Sequence, residues 1–400
     1  MTRNPGVYLH ETVENIKYNT NGQVPVFIGR TNNNAPNGKE IHKYMSFKEA
    51  SKSISEGGIG ATGNLDQDLT TNPLLNVLQR FFQEADDISY IYVIDVNDGT
   101  KLEYWRNAIN THTVYPDIDV EVYYGVEYLD GETQQIFDIV NNALTTNAKN
   151  FMFRRAFSTI LFDTEGEALT DDMLINLVSK NLTANRLRII DPQINNTEAN
   201  HTTTIDKFII GDYMGRIIST PIGREPGYYE FKNIPVDRFP KRDPETRQKL
   251  FNAGVIFGFD EYYSESYHPR INMTVGCGFG NLPGSRPADC LDYARRIADY
   301  VLKQVYNTTY PFVKQMETKT NMVVLQTRIN RLLEQDADSD LIILYDKDNN
   351  PGGSYLRLEE STEDPFNLII SGQIQSVKSI IAIDVETTIT APPLKDTRSD

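Results

Sequence analysis

Cysteine is scarce in this sequence, where Cys277 and Cys290 are the only two among 400 residues. Two cysteines are too few for a disulfide framework or for a cysteine-based zinc site. Cys290 lies near a predicted helix start, where the pKa of a thiol can fall, but a buried inert thiol is the favoured interpretation. The five histidines are scattered, with no His-x-x-x-His pair, so we predict no metal site.

Long apolar runs and basic runs are also missing. No apolar run approaches the ~20 residues that a membrane-spanning helix needs, and residues 1–10 lack the apolar core of a signal peptide. No basic run offsets the formal net charge of −16, so the surface should repel phosphate backbones. The sequence predicts a soluble protein, made in a cytoplasm, that binds neither a membrane nor nucleic acid directly.

The stretch "GGIGATG" contains Gly58-x-Gly60-x-x-Gly63, the spacing of a dinucleotide-binding loop. Such a site needs a strand before the glycines and a helix that opens at the third one. Here a helical pattern precedes the glycines, and "NLDQDLTTN" separates them from the next helix. An ordinary loop is the favoured interpretation, and a nucleotide-dependent α/β enzyme is kept as the alternative function.

The segment "DKDNNPGGSYLR" places Asp346, Asp348 and Asn350 at the spacing of a calcium loop. The sixth position is Pro351 instead of glycine, and the twelfth is Arg357 instead of glutamate. We therefore predict that residues 341–360 form a hairpin that turns around Asn-Pro-Gly-Gly.

Acidic pairs are explained by helix ends rather than by catalysis. Asp86-Asp87 follows a predicted helix and Asp171-Asp172 begins one, where an acidic first turn is stabilised by the helix dipole. The sequence order shows no nucleophile–base constellation, although a triad assembled only in three dimensions would not be visible. We predict no catalytic residue, no cofactor and no enzyme activity.

Helical and strand patterns alternate through the first half of the chain. In "TTNPLLNVLQRFFQEA", Asn72 is placed to cap a helix and Pro73 suits its first turn. The apolar stripe of this helix consists of Leu74, Leu75, Leu78, Phe81 and Phe82. Other predicted strands are 24–29, 88–96, 118–126, 158–163 and 185–192, and other predicted helices are 45–54, 133–144, 170–182, 287–306 and 320–335. This order predicts an α/β protein with a largely parallel sheet.

Residues 193–285 change in character and are rich in Pro, Gly, Tyr and Asn. Short strands are predicted there at "KFIIGDYMG" (207–215) and "AGVIFGF" (253–259).

A long strand pattern closes the chain, in "SVKSIIAIDVETTITAPP" (376–393). One face would carry Val377, Ser379, Ile381, Ile383, Val385, Thr387 and Ile389. At about 3.3 Å per residue the strand would reach roughly 43 Å, whereas strands usually hold about five or six residues. A strand of this length is unusual at the edge of an ordinary domain, so pairing outside the subunit competes with pairing inside it.

The order of these motifs resembles the contractile tail sheath family of bacteriophages and related injection machines. The resemblance is collinear over nearly the whole chain, although each motif is short. The motifs that carry it are "NPGVYLHETV", "VPVFIGRT", "MSFKEASKSISEGG", "LLNVLQRFFQEADDISYIYVIDV", "NRLRIIDP", "FIIGDYMGRIISTP", "LDYARRIADYVLKQVY" and "SVKSIIAIDVETTIT".

The resemblance implies an α/β (α+β) fold with a central mixed sheet flanked by helices and with terminal β-arms that pair with neighbouring subunits. The implied divisions are an N-terminal arm (1–20), the first part of the core (21–110), a middle outward-facing domain (111–285), a tube-facing core (286–375) and a C-terminal donor strand with its tail (376–400). Residues 15–23 and 372–376 are expected to be flexible linkers.

The same resemblance implies which residues make contacts between subunits. The N-terminal arm would use Val7, Tyr8, Leu9 and Val13, and the C-terminal strand would use Val377, Ile380, Ile381, Ile383, Val385 and Ile389.

The implied function is mechanical. Subunits of this family form stacked rings, usually sixfold, around a tail tube, and the sheath then shortens to drive the tube through a target envelope. The expected partners are other copies of the chain, the tail tube protein, the baseplate and the tail terminator, in a virion tail assembled in the cytoplasm of a bacterial host. A baseplate or tail-terminator component that shares part of the fold is a further alternative, and a bacteriocin or another injection device is as compatible as a phage.

Overall fold

The architecture is taken from a computed structural model. It describes residues 23–30, 37–57, 72–96, 101–125, 131–150, 152–160, 169–181, 186–196, 202–224, 226, 231–234, 238–263, 266–272, 292–312, 318–360 and 368–377.

A six-stranded sheet forms the centre of the molecule, with the strand order β2-β3-β1-β4-β5-β6. Its strands are β1 (Val24–Gly29), β2 (Ile41–Tyr44), β3 (Ile91–Asp95), β4 (Ile118–Tyr124), β5 (Arg155–Thr159) and β6 (Leu187–Ile190). Only the edge strand β2 runs antiparallel to its neighbour within this sheet. The predicted α/β class and the central mixed sheet are therefore confirmed.

Helices cover both faces of this sheet, which explains why its strands are apolar at nearly every position. Val26 and Ile28 pack into the core on one face, beneath helices α3 (Leu102–Thr113), α4 (Gly131–Lys149), α5 (Asp171–Asn181) and α7 (Pro244–Ala253). Phe27 points to the other face, beneath α1 (Phe47–Gly57), α2 (Pro73–Glu84) and α6 (Ile210–Ser219). Successive side chains of β1 therefore pack alternately into the two cores on opposite faces of the sheet.

Helix α2 begins where its sequence predicts. The Asn72 Oδ1 atom accepts a hydrogen bond from the Leu75 backbone N–H at 3.1 Å, and Pro73 occupies the first turn. In the predicted stripe the first four residues are fully buried, and Phe82 packs partly buried at the edge of the same core.

Helix α6 corrects the strand predicted at 207–215. All ten residues of α6 are buried, so the polar face that would reveal a helical period is missing from its sequence. Gly211 faces the backbone of α2, because a Cβ atom at Gly211 would lie 2.4 Å from the Val77 carbonyl oxygen. The glycines that made this segment resemble a loose strand instead permit close contact between two helices.

Other elements were missed or shifted by the sequence patterns. Helices α3 and α7 were not predicted, and β5 starts three residues before the predicted strand at 158–163. Two antiparallel hairpins also occur, formed by β7 (Gln193–Asn196) with β8 (Thr202–Ile205) and by β9 (Phe257–Tyr263) with β10 (Ser266–Asn272).

The last part of the described chain, residues 292–377, is named here the C-terminal unit, and it forms a third core to which Ile222 also contributes. Its elements are α8 (Asp292–Thr309), α9 (Lys319–Asp338), β11 (Tyr355–Glu360) and β12 (Leu368–Gln373). Residues from both helices and from β11, including Val301, Ile329 and Leu356, share this third core.

The predicted division at residue 110 falls inside α3, and β1 pairs with β4 across it. The sheet therefore contains strands from both sides of that boundary. The outward-facing and tube-facing assignments stay predictions.

The contact between α6 and α2 can be tested with Gly211→Ala. We expect a loss of about 1–3 kcal/mol in the free energy of unfolding, because the new methyl group would displace a backbone carbonyl in a packed core. Urea denaturation would measure it. Gly352→Ala is the matched control, since the nearest atom to its Cβ lies 3.9 Å away. An equal effect of the two substitutions would contradict the close helix contact.

Candidate functional site

Strand β12, in the small sheet of the C-terminal unit, has one edge that is hydrogen-bonded and one edge that is open within the described residues. On the bound edge, β12 pairs antiparallel with β11, from Leu368 opposite Glu360 to Gln373 opposite Tyr355. The extended backbone continues past the end of β12 with a new partner, because the Gln375 carbonyl accepts a hydrogen bond from the Ile343 N–H at 2.9 Å.

This bound edge reaches to the end of the described chain. The Val377 N–H donates to the Leu341 carbonyl at 3.0 Å, and Ser376 lies opposite Ile342 in an antiparallel bridge. Residues 368–377 therefore form an extended line whose inner edge is occupied by β11 and then by the segment 341–343.

The opposite edge of β12 is open within the described part of the chain. Backbone groups alternate in direction along a strand, so those of Leu368, Ile370 and Gly372 face away from β11. Among the described residues none of these groups has a hydrogen-bond partner. Leu368 and Ile369 are also 38% and 46% exposed, although both are large and apolar. An open, apolar strand edge is a surface that recruits another strand.

The outer edge of β11 is covered where β11 begins. The Ser354 N–H donates to the Ile343 carbonyl at 2.6 Å, and the Tyr345 N–H donates to the Ser354 carbonyl at 3.0 Å. The two edges of this sheet are therefore not equivalent.

Helices α8 and α9 support the sheet and enclose a buried carboxyl group, that of Asp336, which is 3% exposed. Its Oδ1 atom accepts a hydrogen bond from Gln304 Nε2 at 3.1 Å, while Oδ2 has no partner among the described residues. Burial raises the pKa of Asp336 to about 6, and the single bond from Gln304 opposes this only in part.

Charged contacts join the C-terminal unit to the central sheet. Arg186 donates two hydrogen bonds to Asp299 of α8, at 2.6 and 2.8 Å, and Lys303 of α8 contacts Asp119 at 2.7 Å. Beside them lies a cleft of about 250 Å³ whose lining includes Arg155, Arg296 and Tyr300. We name this group of contacts the charged seam. Polar interfaces of this kind are typical of parts that move relative to one another.

A histidine, a glutamate and an arginine meet in the interior, which the sequence could not show. His112 Nε2 lies 2.8 Å from Glu121 Oε1 while its Nδ1 lies 2.8 Å from the Ala108 carbonyl, and Arg154 is 3.5 Å from the same carboxylate. The three side chains are 0% exposed. Burial alone would raise the pKa of Glu121, but His112 and Arg154 hold it below its usual range. No substrate can reach these groups, so the cluster is structural.

A second perturbed carboxyl group lies between α6 and α2. Burial raises the pKa of Asp212 to about 7, although Arg80 Nε lies 2.6 Å from its carboxylate. This pair connects the two helices, and it does not line the cleft beside Arg155 and Arg296. Within those residues no group of histidine, cysteine and acidic side chains is arranged to hold a metal ion.

The predicted calcium-like segment is a turn, as expected. Asp346 and Asn350 exchange backbone hydrogen bonds at 2.9 and 3.0 Å, and the Asp346 carboxylate accepts from the N–H groups of Asp348 and Asn349. The prediction of one hairpin over 341–360 was wrong in its pairing, because β11 pairs with β12 beyond this segment.

The predicted acidic pairs are engaged in ion pairs. Asp171, at the start of α5, accepts from Arg242 at 2.7 Å, and Asp86 lies 2.5 Å from Lys232 Nζ.

Most of the predicted contact residues lie outside the described residues. This holds for Val7, Tyr8, Leu9 and Val13 of the N-terminal arm, for Ile380, Ile381, Ile383, Val385 and Ile389 of the C-terminal strand, and for Gly58, Gly60, Gly63, Cys277 and Cys290. Val377 is described, and its N–H bonds within its own subunit. The linker expected at 372–376 is bound into the sheet, because the Gln375 carbonyl accepts from the Ile343 N–H.

No helix in the described ranges is long and apolar enough to cross a membrane.

Comparisons with known proteins find the same fold in solved structures. No family model matches the sequence, and no curated protein matches it. The contracted helical sheath of the anti-feeding prophage aligns with 97% of this chain and 99% of its own, with 12% identity and a TM-score of 0.63. A sheath tail protein from Desulfitobacterium hafniense aligns with 95% of this chain and 96% of its own, with 7% identity and a TM-score of 0.61.

A chain of the sixfold-symmetrised baseplate structure of the anti-feeding prophage also aligns, over 98% of this chain and 100% of its own, with 13% identity and a TM-score of 0.64. The chain therefore has the fold of contractile tail sheath proteins, as the motif order predicted. Each match covers at least 95% of both chains, so the similarity is not confined to one domain.

The buried carboxyl group of Asp336 predicts a pH dependence of stability. Because its pKa is about 6 when folded and near 4 when unfolded, the folded state binds its proton more tightly and loses stability as the pH rises between these values. We expect Asp336→Asn to be more stable than the wild type by about 1–2 kcal/mol above pH 7 after allowance for solvent screening, and equal to it below pH 4. Thermal unfolding across this pH range would measure the difference, and a constant offset at every pH would refute it.

Proposed function

We propose that this chain is the structural subunit of a contractile tail sheath, which polymerises as stacked rings around a tail tube and shortens to drive the tube through a target envelope. The observation that carries the proposal is the edge of β12 that is open within the described chain, together with the alternating strand pattern in the sequence at 376–393. The sheath fold supports it independently.

The donor and the acceptor would be parts of the same sequence. The sequence beyond Val377 carries the alternation of a β-strand, and β12 offers unpaired backbone groups beside exposed apolar side chains. Addition of the C-terminal strand to β12 would give both segments a partner. Main-chain hydrogen bonds provide the adhesion, and alternate side chains set the register. Each bond contributes about 1 kcal/mol net, so several bonds together with buried Ile and Val side chains form a durable link.

Links of this kind explain how a lattice stays connected while it changes shape. Every subunit donates and accepts, so binding strength accumulates across the lattice without any single tight contact. The bulk of the subunit can then exchange one packing for another, as bistable interfaces do. The partners implied are further copies of the chain, the tail tube, the baseplate and the tail terminator, in a tail assembled inside a bacterial host.

The role is mechanical and needs no catalysis. The interior cluster of His112, Glu121 and Arg154 is sealed from solvent, and the neighbours in structure are sheath proteins. The glycine loop at 58–63 stays the basis of the alternative, a nucleotide-dependent enzyme, which would show a thermal shift with nucleotide.

A second candidate is a component of the baseplate region, because a chain of a baseplate structure aligns over nearly its whole length. Electron microscopy of the purified chain together with a tail tube separates the two. Hollow striated tubes of indefinite length support the sheath, whereas single closed rings support the baseplate component. Compact particles that never associate with a tube would count against both.

Deletion of residues 378–400 tests strand donation while leaving the Val377 hydrogen bond in place. We expect a folded protein that no longer polymerises, because the acceptor edge remains but the donor is lost. Sedimentation velocity measures assembly, and far-UV circular dichroism checks the fold. Polymers of normal length from this protein would rule out the C-terminal strand as the donor.

Single substitutions test the alternation of the strand. Ile381→Asp places a charge on the apolar face, where burial against a neighbour would be costly, so we expect assembly to fail. Thr388→Asp is the matched control on the opposite face and should assemble normally. Misfolding of the isolated Ile381→Asp subunit would instead assign this strand to the core of its own subunit.

A further inference from the structure

We infer that Gln326 determines which edge of the C-terminal sheet accepts a partner strand, by closing the edge of β11 with its side-chain amide. The inference rests on the proposed function, since it concerns the strand addition proposed there. It adds a specificity-determining residue, one that lies outside both predicted arms.

The amide of Gln326 occupies the place of a strand residue. Its Nε2 atom donates to the Leu356 carbonyl at 2.9 Å, and its Oε1 atom accepts from the Leu358 N–H at 2.8 Å. These two backbone groups flank one residue on the outer edge of β11. A residue of a parallel neighbouring strand would form the same pair of bonds, so the side chain satisfies the groups that an added strand would need.

A third contact fixes the orientation of this amide. Nε2 also donates to Asn330 Oδ1 at 2.8 Å, one turn further along α9. A rotated amide would set its oxygen against the Leu356 carbonyl, so only one orientation satisfies all the groups. The buried residues Leu325 and Ile329 hold this part of α9 against the sheet.

The amide completes a closure that the chain begins nearby. Ser354 is paired with Ile343 and Tyr345, and Gln326 binds two of the outward-facing groups that follow it along β11, the Leu356 carbonyl and the Leu358 N–H. The outer edge of β11 is thus bound at Ser354, at the Leu356 carbonyl and at the Leu358 N–H, while the outer edge of β12 is open within the described chain.

The consequence is a sheet that grows on one side. A sheet with two open edges can take a strand at each, which gives branched or irregular aggregates. With β11 closed, each subunit accepts a C-terminal strand at β12 alone, and each strand has one destination. Gln326 therefore acts as a negative determinant, since it excludes an alternative addition.

The test uses the full chain at concentrations where it is monomeric, with a synthetic peptide of residues 376–393 as the probe. Native mass spectrometry gives the number of peptides bound per chain, and hydrogen exchange gives the protection of the Leu358 amide. The variants are Gln326→Leu, which removes both bonds, and Gln326→Asn, whose shorter amide cannot reach. Gln335→Leu makes the same change at an exposed position of the same helix.

We expect one peptide per wild-type chain and per Gln335→Leu chain, and two per chain of either Gln326 variant. The Leu358 amide should exchange about tenfold faster in those variants, as for the loss of one hydrogen bond. One peptide per chain in all four proteins, or two in the wild type, would overturn the role of Gln326. An absence of peptide binding in every protein would instead overturn strand addition itself, and unchanged Leu358 exchange would show that the amide does not close the edge.

Discussion

An unpaired strand edge is the constraint on which this molecule depends. Backbone N–H and C=O groups must find partners, and a strand that ends a sheet leaves a row of them unused. The central sheet ends in β2 and β6, and helices cover its faces. In the small C-terminal sheet, β12 combines an edge without partners among the described residues with exposed Leu368 and Ile369. A surface that would be a hazard in a monomer becomes an adhesive site in a polymer.

The rest of the C-terminal unit keeps that edge in place. Helices α8 and α9 bury their apolar stripes against each other and against β11, so the hairpin rests on a packed support. The unit meets the central sheet through ion pairs, such as Arg186 with Asp299, rather than through one continuous apolar core. An apolar interior with a polar boundary is what two rigid parts need if they are to shift without unfolding.

The sequence correctly predicted those elements whose hydrophobic period or capping residue is visible in the local sequence. The cap at Asn72, the stripe of α2 and the apolar runs of β1 and β3 were all read from local residues. Helix α6 was misread because burial on every side erases the 3.6-residue period. The pairing of β11 with β12, and the meeting of His112 with Glu121, depend on long-range contacts that no local pattern encodes. The candidate site was therefore only half predictable. The proposed donor strand shows a two-residue alternation in its own sequence, whereas the acceptor edge depends on the pairing of β12 with β11.

Only 7 to 12% of positions are identical between this chain and the solved sheath structures to which it is similar. A fold can persist at such identity because it requires burial and backbone pairing more than particular side chains. Strand addition has the same property, since its main-chain bonds are independent of side-chain identity. The parts that must be specific are few, namely the register of the donor strand and the choice of edge. At β11 that choice is made by one amide, so the direction of growth is set by a side chain although the adhesion is set by the backbone.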